Sequence, residues 1–263
     1  MTILEKILVS KRAELGELRK ARLPVPPSGV PSLQLERAAR TAESDEAHSP
    51  LHLLCEIKKK SPSAGTLSTR LSVAQRAKIY GDTGASLISV LCDGPFFDGS
   101  YEDLLEARSL CKTPLLCKEF VIDECQLDAA AAYGASAVLL IVRCLPGKQL
   151  ETLIAAARQR KLEPLVEVFK EDECERALDS GATFIGVNAR DLDTLEMDSA
   201  RAARVIESLP SGIVSAHLSG VKTPDDVTRV AQGSANAALI GEVLMRADDP
   251  SDLLARLVQA ARG

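Results

Sequence analysis

Short apolar stretches alternate with amphipathic stretches along the chain from residue 51 onward. Eight apolar stretches have the length and continuous hydrophobicity of buried parallel strands, and residues with helical apolar spacing follow each one. The predicted strands are 51–57, 86–91, 115–119, 137–142, 164–168, 184–187, 213–217 and 237–240. The predicted helices begin near Val73, Tyr101, Glu124, Gly147, Glu171, Ser199, Pro224 and Asp249. Because this number of alternating units favours a closed barrel over an open sheet, we predict an α/β fold of the (β/α)8 TIM barrel type.

The first fifty residues have a different pattern. Residues 2–20 have the apolar spacing of an amphipathic helix, several prolines then interrupt regular structure, and a short helical stretch is predicted near 33–41. We therefore predict an N-terminal helical extension over 1–50 and a barrel catalytic domain over 51–263. The charged residues Glu5 and Lys6 interrupt the apolar residues of this helix, so it lacks the continuous apolar segment of a signal peptide.

Composition narrows the possible partners and location. The 263 residues are 46% hydrophobic and carry a net charge of -5, which argues against a nucleic acid or an anionic membrane as a partner. No apolar run reaches transmembrane length, so we expect a cytoplasmic protein. The seven cysteines include no C-x-x-C pair and are interpreted as reduced core residues. His48, His52 and His217 are widely separated in sequence, so we expect no metal site and no cofactor.

Charged residues stand where the predicted strands end. Glu56 and Lys58 are two residues apart and therefore share one strand face, while Lys118 and Glu167 each end a buried strand. The carboxyl ends of the strands form the active-site face of such barrels, and buried lysines and carboxylates there tune each other's pKa. The pattern predicts acid–base chemistry without a metal, with structural ion pairs as the alternative.

Small residues follow the last two strands. Ser219-Gly220 and Gly241-Glu242 leave room for backbone amides to approach a ligand, and barrels often bind a phosphate at this position. We expect a small phosphorylated substrate, although tight turns use glycine without any ligand.

Several of these segments resemble one enzyme family, the indole-3-glycerol phosphate synthases. The resemblance extends in order from Leu51 to the C-terminal region, and the N-terminal helix is similar to that family's extension. It implies a substrate, 1-(2-carboxyphenylamino)-1-deoxyribulose 5-phosphate, which is cyclised, decarboxylated and dehydrated in tryptophan biosynthesis. The matching segments are CEIKKKSPSAG (55–65), SVLCDGPFFDGSYEDL (89–104), PLLCKEFVID (114–123), EPLVEV (163–168), IGVNARDLDTLEMD (185–198) and LIGEVLMR (239–246).

The resemblance also implies catalytic roles. Lys118 matches the general acid that protonates the ketone oxygen during ring closure. Glu167 matches a base or charge stabiliser in the dehydration. Lys58 matches the lysine that contacts the substrate carboxylate and acts as the acid of dehydration, with Glu56 orienting it. Asn188 matches a residue that orders the substrate and the catalytic charges.

The resemblance also implies further residues that contact the substrate rather than transfer protons. Cations and small residues suit the carboxylate and phosphate groups, and aromatic side chains suit the substrate ring. The residues we expect in substrate binding are Ser61, Phe97, Phe120, Arg190, Leu218, Ser219, Gly220, Gly241 and Glu242.

Leu218 departs from the family pattern. Strand 7 of the family usually ends Ala-Glu-Ser-Gly-Ile, whereas this chain has leucine at the glutamate position, preceded by His217. Strand alternation predicts that His217 faces the helices. The departure predicts a weakened carbon–carbon lyase, with two alternatives: a paralogue acting on a modified aryl-amino sugar phosphate in secondary metabolism, or a non-catalytic phosphate-binding barrel. We expect a monomer or a weak homo-oligomer.

Overall fold

A closed parallel barrel forms the centre of the protein. The structure, a computed structural model, describes residues 1–35, 50–62, 65–67 and 70–263. Within these residues, each of eight strands pairs with the next along the chain, and the last pairs with the first, which confirms the predicted (β/α)8 TIM barrel. The strands are β1 (His52–Ile57), β2 (Leu87–Leu91), β3 (Leu115–Lys118), β4 (Ala137–Ile141), β5 (Glu163–Val168), β6 (Phe184–Asn188), β7 (Val214–Leu218) and β8 (Ala237–Ile240).

Helices follow the strands and cover the barrel. Several begin at a residue whose side chain accepts a hydrogen bond from the first-turn backbone, such as Ser72, Ser100 and Thr223, so the local sequence fixes where they start. The helices are α1 (Ile3–Leu18), α2 (Val73–Thr83), α3 (Gly94–Phe97), α4 (Tyr101–Leu110), α5 (Glu124–Ala132), α6 (Gln149–Gln159), α7 (Glu171–Asp179), α8 (Ser199–Glu207), α9 (Pro224–Ala231), α10 (Glu242–Arg246) and α11 (Ser251–Arg262).

Element boundaries differ slightly from the sequence predictions. The strand ends agree within one residue, and α6 and α11 begin two residues later than predicted. The short helices α3 and α10 and a small hairpin joining Lys60–Ser61 to Gly65–Thr66 were not predicted, because such short elements show no hydrophobic period. Residues 31–35 are irregular, and the remainder of the helical stretch predicted near 33–41 lies outside the described residues, as does His48.

Helix α1 packs on the barrel through the apolar face that its sequence predicts. Leu4 and Ile7 are buried and belong to the same hydrophobic core as the barrel strands. The division into an extension and a catalytic domain at residue 50 stays a prediction. Among the described residues, none of the helices is long and apolar enough to cross a membrane.

Candidate active site

A cavity of about 170 Å³ opens at the carboxyl ends of the strands. The ends of β1, β3, β5 and β6 supply charged and polar walls, Leu139 and Leu239 lie at its apolar base, and the first turns of α1 lie at its rim. Nearly all the predicted site residues line this cavity: Glu56, Lys58, Ser61, Phe97, Lys118, Phe120, Glu167, Asn188, Arg190, Ser219, Gly220, Gly241 and Glu242.

Glu56 links the two lysines of the cavity. Its side chain is almost fully buried, with Oε2 accepting a hydrogen bond from Lys58 Nζ at 2.6 Å and Oε1 lying 3.1 Å from Lys118 Nζ. Gly241 makes this position possible, because a Cβ atom there would lie 2.7 Å from Glu56 Oε2. The strand-end glycine therefore has a steric function beside the carboxylate.

Glu167, on β5, lies close enough to Lys118 to interact with its charge. A series of hydrogen bonds through Asn188 holds the Glu167 side chain in place. Asn188 Nδ2 donates to Glu167 Oε1 at 2.9 Å, and Asn188 Oδ1 accepts from Ser219 Oγ at 2.8 Å. The backbone N–H of Arg190 also donates to Asn188 Oδ1, at 3.0 Å. These contacts fix the orientation of the Asn188 amide, and with it one oxygen of Glu167.

Burial and opposite charges set the protonation of these groups. Burial would raise the pKa of Glu56, but Lys118 and Lys58 outweigh it and hold that pKa at about 2. Burial would lower the pKa of Lys118, but Glu56 and Glu167 raise it above its ordinary value. Burial raises the pKa of Glu167 despite the opposing effects of Lys118 and Asn188. The cavity therefore holds a protonated lysine beside a carboxylate that accepts a proton more readily than usual.

The cavity is bounded by an aromatic wall on one side. The rings of Phe97 and Phe120 lie with their centroids 6.0 Å apart, and both line the cavity near the first turns of α1. This wall offers a surface suited to an aromatic ring.

The opposite side consists of small and polar residues after β7 and β8. Ser219 and Gly220 both have positive φ, 71° and 86°, which turns the chain sharply at the end of β7. Lys222 follows this turn and lines the cavity, which adds a cation close to the glycines. Glu242 also lines the cavity, and its carboxylate pairs with Arg246. This end suits an anion more than an apolar group.

Arg143, which follows β4, does not line the main cavity but lies beside it. Its guanidinium pairs with Glu173 at 2.7 Å and with Asp191 at 3.4 Å. It also stacks on the Phe169 ring, whose other cationic neighbour is Arg201. Arg143 therefore supports the ends of β5 and β6 from outside the cavity.

Leu218 and His217 point in opposite directions, as strand alternation predicts. Leu218 is buried inside the barrel. A Cβ atom on Gly186 would lie only 2.6 Å from Leu218 Cδ1, so the leucine occupies the place of a side chain at residue 186. Unlike the other predicted binding residues, Leu218 does not line the cavity. His217 lies on the outer face of β7, where it lines a separate cavity together with residues of α8 and α9. It is therefore placed to pack between the barrel and the helices.

Replacing Leu218 with glutamate is expected to destabilise the protein. The carboxylate would enter a buried layer formed with Gly186 and Leu165, so we expect the free energy of unfolding to fall by about 2–4 kcal/mol, with no gain in activity. Urea denaturation followed by circular dichroism measures this change, and Leu218→Met is the volume-matched control. A gain in activity with unchanged stability would instead indicate that leucine replaces a missing catalytic carboxylate.

The sequence predictions missed the contribution of α1. Ile3, Leu4 and Ile7 line the cavity, and Lys11 is buried one turn further along the helix. The signal was present in the spacing, since Leu4, Ile7 and Lys11 lie on one helical face and a lysine interrupts that apolar stripe. Lys222 was also missed, although it follows the predicted glycine turn closely.

The polar side chains that line the site include lysine, arginine, carboxylate, amide and hydroxyl groups. Within the described residues, no three His, Cys, Asp or Glu side chains are grouped as a metal ion would require. Lysine and carboxylate side chains in such an arrangement can transfer protons, and the lysines can bind anions.

The fold and the cavity define a TIM barrel whose mouth is lined by lysine and carboxylate side chains. Solved structures support the fold. A 3-hexulose-6-phosphate synthase superposes with a TM-score of 0.65 at 16% identity, covering 80% of this chain and 99% of its own. Tryptophan synthase from M. tuberculosis superposes with a TM-score of 0.62 at 14% identity, covering 81% of this chain and 94% of its own. At these identities the likeness extends to the fold alone.

Within that class, the chain belongs to the indole-3-glycerol phosphate synthase family. The family's sequence profile matches residues 4–257. Indole-3-glycerol phosphate synthase 1 of Streptomyces coelicolor is 41% identical, across 99% of this chain and 96% of its own length. Indole-3-glycerol phosphate synthase of Polaromonas naphthalenivorans is 38% identical, across 97% of this chain and 98% of its own length. Membership supports a lyase of tryptophan biosynthesis.

Proposed function

We propose that the protein converts 1-(2-carboxyphenylamino)-1-deoxyribulose 5-phosphate into indole-3-glycerol phosphate, with release of CO2 and water. The observation that carries this proposal is the position of Lys118. Its ammonium lies between Glu56 and Glu167 in a cavity with an aromatic wall on one side and the Ser219-Gly220 turn on the other. The substrate has an aromatic ring and a phosphate at opposite ends, which match these two sides.

In the proposed reaction, Lys118 donates a proton to the ketone oxygen while the carboxyl-bearing ring carbon forms a bond to the ketone carbon. The carboxylate then leaves as CO2, and the electrons of the broken bond restore the aromatic ring. In the dehydration, Lys58 protonates the departing hydroxyl and Glu167 takes the proton that is lost as the new double bond forms. Glu56 stays ionised, and its charge helps to raise the pKa of Lys118 against the effect of burial, which keeps Lys118 in its charged form.

Binding is assigned by chemical type. We propose that Phe97 and Phe120 contact the ring, and that Ser61, Ser219, Gly220 and Gly241 surround the phosphate. Arg190 and Asn188 would order the part of the substrate that lies between the ring and the phosphate, and Glu242 would lie beside the phosphate. Leu218 would act indirectly, by packing on Gly186 of β6, the strand that carries Asn188.

Incubation of the purified protein with the carboxyphenylamino substrate tests this proposal. We expect an increase in indole fluorescence together with release of one CO2 per substrate consumed. Tight binding without either product, even at high protein concentration, would contradict the proposed activity and favour a non-catalytic phosphate-binding barrel.

A further inference from the structure

A single buried ammonium joins α1 to the rim of the cavity. Lys11 is 2% exposed, and its Nζ lies 2.9 Å from Asp93 Oδ2 and 3.1 Å from Glu119 Oε2. Glu14, on the next turn of the helix, approaches the same Nζ at 2.7 Å. Asp93 and Glu119 are themselves buried. Because two buried carboxylates without a cation would be strongly unfavourable, Lys11 is required to keep both in place.

Each of these two carboxylates uses its other oxygen to hold a segment of the aromatic wall. Asp93 Oδ1 accepts a hydrogen bond from the backbone N–H of Phe97 at 3.2 Å and caps the short helix α3. Glu119 Oε1 accepts from the backbone N–H of Phe120 at 2.6 Å. The two rings that face each other across 6.0 Å are therefore both tied to carboxylates that share Lys11.

The same cluster lies next to the proposed general acid. Glu119 directly follows Lys118, so the contact with Lys11 also constrains the end of β3. Burial would lower the pKa of Lys11, but Glu119, Glu14 and Asp93 raise it, so the ammonium form is maintained. Burial raises the pKa of Glu119 to about 7 despite Lys11, and Asp93 adds to this rise. The cluster thus has more buried carboxylate than one ammonium balances, and it depends on that ammonium.

We propose that Lys11 is a positioning residue of the active site, whose ammonium sets the aromatic wall through Asp93 and Glu119 and holds the first turns of α1 over the cavity. Its effect on catalysis rests on the proposed function, whereas its effect on α1 does not. Ile3, Leu4 and Ile7 reach the cavity from the turns that precede Lys11. Loss of the ammonium would consequently displace both the first turns of α1 and the aromatic wall formed by Phe97 and Phe120.

Substitution of Lys11 by methionine tests this role, because methionine keeps an unbranched apolar chain and removes the charge. We expect KM for the carboxyphenylamino substrate to rise about tenfold to hundredfold, with kcat changed less than about threefold. Amide hydrogen exchange in residues 3–11, measured without substrate, is expected to be faster. Arg19→Met is the matched control: Arg19 joins the same helix to Asp123, but it is 55% exposed, so neither quantity should change.

A second variant keeps the test decisive if the single substitution prevents folding. Lys11→Met combined with Glu119→Gln removes one of the two like charges, so the double variant is expected to fold and to retain the raised KM. A folded variant with unchanged KM and unchanged exchange in α1 would overturn the proposal. So would a lower kcat at unchanged KM, which is the result of a smaller folded fraction. If the wild-type protein makes no indole product, the proposed function fails, while the exchange measurement still tests the role of Lys11.

Discussion

Replacing Lys118 with methionine is expected to lower kcat/KM by about a thousandfold. The lysine is the proposed donor of the proton that ring closure requires, and its ammonium also balances Glu56 and Glu167 in a buried site. Methionine removes both functions, so Glu167 loses the neighbour that favours its ionised form. Single-turnover measurement of indole fluorescence separates this loss of chemistry from any change in product release.

The matched control for that experiment is Lys112→Met. Lys112 precedes the same strand but is exposed, so its replacement should leave kcat/KM within about twofold of the wild-type value. A Lys118→Met variant that retains more than about a tenth of the wild-type rate would contradict the general-acid role. Circular dichroism establishes that both variants are folded.

Replacing Glu56 with glutamine is expected to reduce activity, and also to reduce the free energy of unfolding at neutral pH. The pKa of the Glu56 carboxyl group is about 2 in the folded protein, compared with an ordinary value of 4.5. The folded state therefore binds fewer protons than the unfolded state between these values, so stability rises with pH across this window. The contribution is fully present above pH 4.5, is lost as the pH falls toward 2, and amounts to about 3 kcal/mol.

The Glu56→Gln substitution is also expected to lower activity, because Glu56 helps to keep Lys118 protonated. Without Glu56, burial lowers the pKa of Lys118 with only Glu167 to oppose it. We expect kcat/KM to fall at least a hundredfold at neutral pH and the alkaline limb of the pH–rate profile to move to lower pH.

Glu163→Gln provides the comparison for both measurements. Glu163 begins β5 at the opposite end of the barrel and accepts a hydrogen bond from Thr183, so its loss should leave the pH–rate profile unchanged. If Glu56→Gln has the same acid unfolding curve as the wild type, the carboxylate does not carry the proposed charge balance.

Much of the site could be predicted from local pattern. Continuous apolar runs indicate the buried strands, and an apolar period of 3.6 residues indicates the helices; the sequence shows both patterns directly. Once those units imply a barrel, residues that end the strands must meet at one mouth. Glu56, Lys118 and Glu167 were located in this way, and the structure brings them together around one cavity.

The sequence by itself determined the barrel, the order of its units and the strand ends that carry charge, because each depends on neighbours a few residues away. Only the tertiary structure decided what lies across the mouth. Lys11 and Glu119 are 108 residues apart, and their contact depends on how α1 docks, which no local period encodes. The packing of Leu218 on Gly186 likewise joins two strands through space. Burial and charge balance at such contacts arise only when the chain has closed on itself.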